Sequence, residues 1–165
     1  MSYHIYTTKG IVLAERPVRE ADRIYSILTR DLGLVHATAL GVRNGASKLR
    51  GNIEPFSLTS ISLVRGKEHW RATSAESIQR ISSSPNVIRP LALIEKLVQG
   101  EVSHPELFDA VERALQSRES LDEMFEIRLV SKILFHLGYL KETDLVLNKK
   151  SLIKVINEGL QASHL

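Results

Sequence analysis

The stretch Glu54-Pro55-Phe56-Ser57-Leu58-Thr59-Ser60-Ile61-Ser62-Leu63-Val64-Arg65 decides the fold of the first half of the chain. Its apolar residues alternate with polar ones, the period of a half-buried strand. The alternation changes phase midway: Phe56 and Leu58 share one face, whereas Ile61 and Leu63 share the other. A one-residue bulge near Thr59-Ser60 accounts for the change, and bulges bend strands around the corners of small barrels. Outward from this strand, runs rich in Ile, Val, Thr, Leu and Ser predict strands near 9–17, 22–30, 34–42, 55–65 and 68–78. Asp31-Leu32-Gly33 and Arg65-Gly66-Lys67 are the tight connections, and Arg43-Asn-Gly-Ala-Ser-Lys-Leu-Arg-Gly51 is a longer cationic loop. Five strands with bends and one long loop fit a small closed barrel of the OB type. On periodicity alone other all-β arrangements stay open.

After residue 80 the apolar period becomes about 3.6. Pro85 suits a first helical position, and Leu91, Ile94, Leu97 and Val98 recur on one face before Gly100. His104-Pro105-Glu106 opens a second helix, with Leu107, Phe108, Val111 and Leu115 as its stripe. Ser120-Leu-Asp-Glu123 reads as a capping box for a third helix. That helix carries Met124, Ile127, Val130, Ile133, Leu134 and Leu137 and stops at Gly138. A last helix covers roughly 148–161, with Leu152, Ile153, Ile156 and Leu160. The expected fold class is α+β in two parts: an N-terminal OB-fold β-barrel at 1–80 followed by a C-terminal α-helical bundle at 81–165.

Composition narrows the function classes. The 165 residues contain no cysteine, which removes disulfides, thiolate zinc sites, iron–sulfur clusters and a cysteine nucleophile together. No apolar run is long enough to span a membrane, and the N-terminus lacks the apolar core of a secretory signal, so the cytoplasm is the expected compartment. Residues 1–80 hold 12 Lys and Arg against 7 Asp and Glu, whereas residues 81–165 hold 10 against 12. A basic first half suits a polyanion; a mildly acidic second half suits packing or protein binding.

Positive signals for catalysis are missing. The six histidines show no metal-ligand spacing, so no metal or other cofactor is expected. Glu15, Glu20 and Asp22 are the best acidic group, read either as salt-bridged turn residues beside Arg16, Arg19 and Arg23 or as a metal-dependent nuclease site. No Gly-x-Ser-x-Gly elbow occurs, and Gly41-Val-Arg-Asn-Gly45 lacks the ending of a phosphate-binding loop.

The basic residues remain. Arg16, Arg19, Arg23 and Arg30 lie on or beside the first two strands, Arg43, Lys48 and Arg50 in the long loop, and Arg65, Lys67 and Arg71 around the last hairpin. A flexible loop with three cations and no acid can follow a phosphate backbone by releasing condensed counterions. The plainer reading is a solvated surface loop. Candidate platforms for base stacking are Tyr25, Trp70, His36 and His69, although Trp70 suits the core better than a platform, since so small a barrel needs a large residue inside.

Several segments resemble one family. Ile11-Val-Leu, Glu20-Ala-Asp-Arg-Ile24 and Leu28-Thr-Arg-Asp-Leu-Gly-Leu34 are similar to the start of the bacterial recombination mediators of the RecO family. So are Gly41-Val-Arg43, Ser47-Lys-Leu-Arg-Gly51, Glu54-Pro-Phe56, Trp70-Arg71 and Ala75-Glu76. Phe125-Glu126 and Leu134-Phe-His-Leu-Gly-Tyr139 look, more weakly, like the helix closing the family's helical core. The resemblance implies an OB-fold that binds single- and double-stranded DNA and a helical domain. It implies a non-enzymatic role in DNA repair and recombination: annealing strands and, with RecR, helping RecA replace single-stranded DNA-binding protein (SSB). It further implies a cytoplasmic, nucleoid-associated protein.

Carried onto matching positions, it makes Arg23, Arg30, Arg43, Lys48, Arg50 and Arg71 DNA contacts, to which the hairpin adds Lys67 and Trp70. Arg23 and Arg30 have a second reading, as partners of Asp22 and Asp31. The family's helical domain can receive the acidic SSB tail, and Arg128 and Lys132, one turn apart, would then rim its pocket; otherwise they face solvent. Many members carry a four-cysteine zinc module after Leu-Gly-Tyr. Here Leu140-Lys-Glu-Thr-Asp144 leads almost directly into the last helix, so a short form lacking that module is expected. A protein-binding adaptor without DNA binding is the alternative function.

Overall fold

A computed structural model describes residues 3–165. The first strand, β1 (Ile5–Pro17), is followed by β2 (Arg23–Thr29), β3 (Gly33–Ala39), β4 (Ser57–Arg65) and β5 (Trp70–Arg80). They close into a barrel in the order β1-β2-β3-β5-β4, with β4 returning to pair with β1. All pairings are antiparallel except β3 with β5, where Ala37 meets Trp70 and Thr38 meets Arg71. This closed five-stranded ring is the expected OB-fold, and a closed sheet exposes no unpaired strand edge. Val12, Tyr25, Ile27, Val35, Ala37, Ile61, Leu63, Trp70 and Ala72 fill its interior.

The phase change in β4 has a different cause from the one expected. β4 contains no inserted residue. Leu58 pairs with Gln79 and Thr59 with Ser77, so the unpaired residue is Ile78 of β5; a second shift leaves Thr73 unpaired. Phe56 adds to the effect: it precedes β4 at φ 58°. It is held there because its N–H donates to Val12 and its carbonyl accepts from Ile81. A left-handed residue turns its side chain out of the strand's alternation. β1 carries a further bulge, since Val12 pairs with Ile27 and Ala14 with Ser26 while Leu13 has no opposite residue.

The helices are α1 (Pro85–Leu97), α2 (Pro105–Gln116), α3 (Glu123–His136) and α4 (Lys149–Ala162), with a 3₁₀ turn at Glu142–Val146. Pro85 takes the first turn of α1 as expected. The expected capping box at Ser120 does not form: Asp122 is the N-cap, its carboxylate accepting the Phe125 N–H at 2.9 Å. An ionised carboxylate at a helix N-terminus also meets the positive end of the helix dipole. Gly138, at φ +85°, ends α3 as expected. The Tyr139 N–H donates to Leu134 and that of Gly138 to Phe135, which satisfies two carbonyls of the last turn. Arg89 of α1 grips both carboxylate oxygens of Glu126 on α3, at 2.8 and 2.7 Å. Leu134, Leu140, Leu152 and Ile156 form a buried cluster among α3, the segment after it and α4.

The chain divides into two compact units, 1–81 with 99–104, and 82–98 with 105–165. The α1–α2 connector therefore belongs to the barrel. Leu34 donates its N–H to Gly100 at 3.2 Å, Ser103 Oγ donates to the Arg30 carbonyl at 3.1 Å, and Glu101 pairs with Arg65. Gly33 is required at this contact: at φ +76° it sits so close to Val102 that any Cβ would collide with its carbonyl. Among the described residues, no helix is long and apolar enough to cross a membrane.

Candidate nucleic-acid interface

The long loop between β3 and β4 is not a free tether. Val42, Leu49 and Ile53 are buried and join the barrel core, and successive turns run from Asn44 to Ile53. Its start is fixed by Asp22, which accepts the Gly41 N–H at 2.7 Å, and by Arg43, whose N–H donates to Ala21 and whose guanidinium donates to the Glu20 carbonyl at 2.9 Å. Apolar anchors and backbone turns thus hold the cations in place, correcting the expectation of flexibility.

Arg23, Arg43 and Arg50 come together around a cavity of about 300 Å³ at the barrel mouth, with Glu15, Glu54 and Tyr25 in the same wall. Arg23 pairs with Glu15 at 3.2 Å, not with Asp22; Asp22 is approached by Arg19 instead, at 4.0 Å. Lys48 and Arg50 are exposed and have no carboxylate partner among the described residues.

The β4–β5 hairpin makes a second basic group. Arg65, Lys67 and Arg71 line a groove with Tyr3, Ile5 and Val64. Arg65 is occupied by Glu101, whereas Lys67 and Arg71 are exposed and unpaired among the described residues. Strand register adds a residue to this surface. Ile24 lies opposite Arg16 in β1 and Thr38 in β3, and Thr38 lies opposite Arg71 in β5. Arg16 and Arg71 therefore occupy one crosswise row on the outside of the barrel. Arg30 stands apart at the β2–β3 turn, 3.4 Å from Asp31.

The expected stacking platforms fare differently. Trp70 is 6% exposed and belongs to the barrel core, with Arg65 over its ring at 4.9 Å and Tyr6 against it at 5.3 Å. Its faces are already covered, so it offers no platform. Tyr25 is 2% exposed, and burial, reinforced by Glu15, pushes its hydroxyl far above its ordinary range. His36 is exposed on β3, its Nδ1 3.2 Å from Ser26 Oγ. His69 is half-buried in the hairpin.

The acidic trio does not converge. Glu15 is bound by Arg23 and Asp22 by Gly41, and no group of three metal-ligating side chains gathers among the described residues. In the helical unit Arg128 and Lys132 line a cavity of about 200 Å³ with Arg113, over Phe125 and Leu129. Arg128 is hydrogen-bonded to Glu119 at 2.9 Å.

Residues 1–81 match the family described as recombination protein O N terminal. Residues 1–81 are a RecO-family N-terminal domain. It is similar to the DNA repair protein RecO of a Synechococcus strain, 43% identical over 81 residues covering 49% of this chain and 28% of that protein. It is similar over a longer span to the DNA repair protein RecO of Dehalococcoides mccartyi, 31% identical over 136 residues covering 78% of this chain and 53% of that protein. With the DNA repair protein RecO of Gloeobacter violaceus it is 33% identical over 100 residues, covering 61% and 38% of the two chains. In these matches the chain spans between about a quarter and about half of its RecO relatives.

Tyr3 and Ile5 are the residues that sequence reasoning passed over. They are exposed large apolar side chains bordering the hairpin cations. The signal was present in Tyr3-His4-Ile5-Tyr6, whose alternation places Tyr3 and Ile5 on one face of a strand and Tyr6 on the other.

Proposed function

We propose that this chain is a DNA-binding mediator of DNA repair and homologous recombination that acts without catalysing a reaction. One observation carries the reading: Arg16, Lys48, Arg50, Lys67 and Arg71 are exposed on the barrel and lack carboxylate partners among the described residues. Exposed cations held on a rigid scaffold bind sugar–phosphate chains by releasing counterions, with little regard to base sequence. Two complementary strands brought to such a surface repel one another less and stay together long enough to pair. No transition state needs to be stabilised for annealing of this kind. RecR, RecA and SSB-coated DNA are the partners this reading implies, in the cytoplasm and at the nucleoid.

Neutralising about five phosphates gives a log–log salt slope near −3.5 on single strands. The test is the triple variant Arg43→Ala, Lys48→Ala and Arg50→Ala, titrated with oligonucleotides at several salt concentrations. Weaker binding to every sequence and a flatter slope support the assignment. Unchanged affinity rejects it.

A second reading has its own observation, the helical-unit cavity with Arg113, Lys132 and a Glu119-paired Arg128 above Phe125 and Leu129. Basic edges over an apolar floor suit an acidic peptide that ends in an apolar residue, such as the SSB tail. An adaptor acting through this cavity alone would bind a labelled tail peptide while failing to retard oligonucleotides at about 50 mM salt, where phosphate contacts are strongest.

A further inference from the structure

The groove beside the β4–β5 hairpin differs in kind from the loop cations. It has a volume of about 700 Å³, within the range of small-ligand sites, ~300–1,000 Å³. Tyr3 and Ile5 line it at 69% and 58% exposure. Ile5 lies opposite Val64, and Val64 opposite Arg71, so an apolar pair and a cation share one row on the outside of the barrel. Lys67 stands at the hairpin. From Ile5 onward the wall is preorganised, because β1 is in register with β4 and Tyr6 keys it to Trp70 from the inner face; Tyr3 stands two residues ahead of the paired strand.

Exposed apolar side chains next to cations such as Lys67 and Arg71, unpaired among the described residues, call for a ligand that is flat, apolar and anionic at once. A duplex meets only half of that description: its phosphates reach cations, but its bases stay stacked inside. An unpaired nucleotide presents both a π-face and a phosphate. We infer that this groove seats an unpaired nucleotide, Tyr3 stacking on the base while Lys67 and Arg71 hold the flanking phosphates. The inference rests on the DNA-binding reading above and adds the form of DNA that this face selects.

The experiment uses the full chain and three probes of equal length: oligo-dT, an abasic strand with the same phosphates but no bases, and a blunt duplex. Stacking one base contributes about 1–3 kcal/mol, or roughly 5- to 150-fold in affinity. Oligo-dT should therefore bind at least about fivefold tighter than the abasic strand. Tyr3→Ala should bring that ratio close to one while leaving abasic and duplex affinities unchanged, and Tyr3→Phe should restore it. Lys67→Ala with Arg71→Ala should weaken oligo-dT and abasic strands alike. A ratio that survives Tyr3→Ala overturns the seat while leaving DNA binding intact. Failure of all three probes to bind overturns the DNA-binding reading itself, and with it the seat. A Tyr3-dependent acidic peptide with no base-dependent preference among the strands would assign the groove to a protein instead.

Discussion

The guanidinium of Arg65 rests 4.9 Å from the centre of the Trp70 ring and is paired on its other side with Glu101. The ring is thus sealed by a cation that is itself neutralised. Trp70 fluorescence should show the short-wavelength emission and weak acrylamide quenching of a buried indole. Trp70→Ala should cost about 3–5 kcal/mol in urea denaturation. Trp70→Phe should cost less than half as much, because it also removes an Nε1–H that is buried without an acceptor among the described residues.

Arg23 and Lys48 should separate structure from binding. Arg23→Ala leaves Glu15 without its partner beside buried Tyr25 and should lower stability by about 1 kcal/mol. Lys48→Ala should shift stability by no more than about 0.5 kcal/mol while weakening oligonucleotide binding. Paired urea titrations and fluorescence anisotropy measure both effects.

Gly33→Ala forces a Cβ onto a left-handed residue and into the Val102 carbonyl. The conformational and steric terms together should cost about 3 kcal/mol. Amide exchange at Leu34 should accelerate with it, because that N–H is bound to Gly100. An unaltered urea midpoint would show that the connector does not press on this turn.

The N-cap of α3 gives a sharp contrast. Asp122→Ala should lose about 1 kcal/mol. Ser120→Ala should stay within about 0.5 kcal/mol, because its hydroxyl caps nothing. Thermal melts of the two variants decide between them.

His136 is held below its ordinary pKa by burial; Arg113 and Lys132 push the same way and Glu106 opposes them. The unfolded chain therefore binds the extra proton first as pH falls through about 6.5. Stability should decline as pH drops from there toward the folded-state value and rise again on the return. His136→Gln should flatten this part of the stability–pH curve, and an NMR titration of the imidazole should give a midpoint below about 6.5.

How far the sequence foretold this arrangement can be argued residue by residue. Strand and helix periods and Gly138 were legible because each is a local property of spacing or backbone freedom. The bulge was misplaced because a phase change in β4 reports a mismatch with its partner but not which strand holds the extra residue; Ile78 holds it. Ser120 and Asp122 offer the same capping chemistry at neighbouring positions, and only the first helical turn selects between them. Among the candidate site residues, Lys48, Arg50, Lys67 and Arg71 keep exposed charges; Arg30 meets its neighbour Asp31, as its second reading has it, whereas Arg23 and Trp70 acquire partners that no local pattern announces. Glu101 is 36 residues from Arg65, and such a neutralisation is invisible to any window along the chain.

The connector between α1 and α2 gives the barrel a second segment, 99–104, beyond the residue at which the family match ends. Excising residues 1–81 would strip Leu34 of its acceptor, Gly33 of its neighbour and Arg65 of its counter-ion in a single cut. The inherited module and the cooperative module of this barrel are different lengths of polypeptide. Work on the isolated barrel should splice the connector back on rather than trim to the homology boundary.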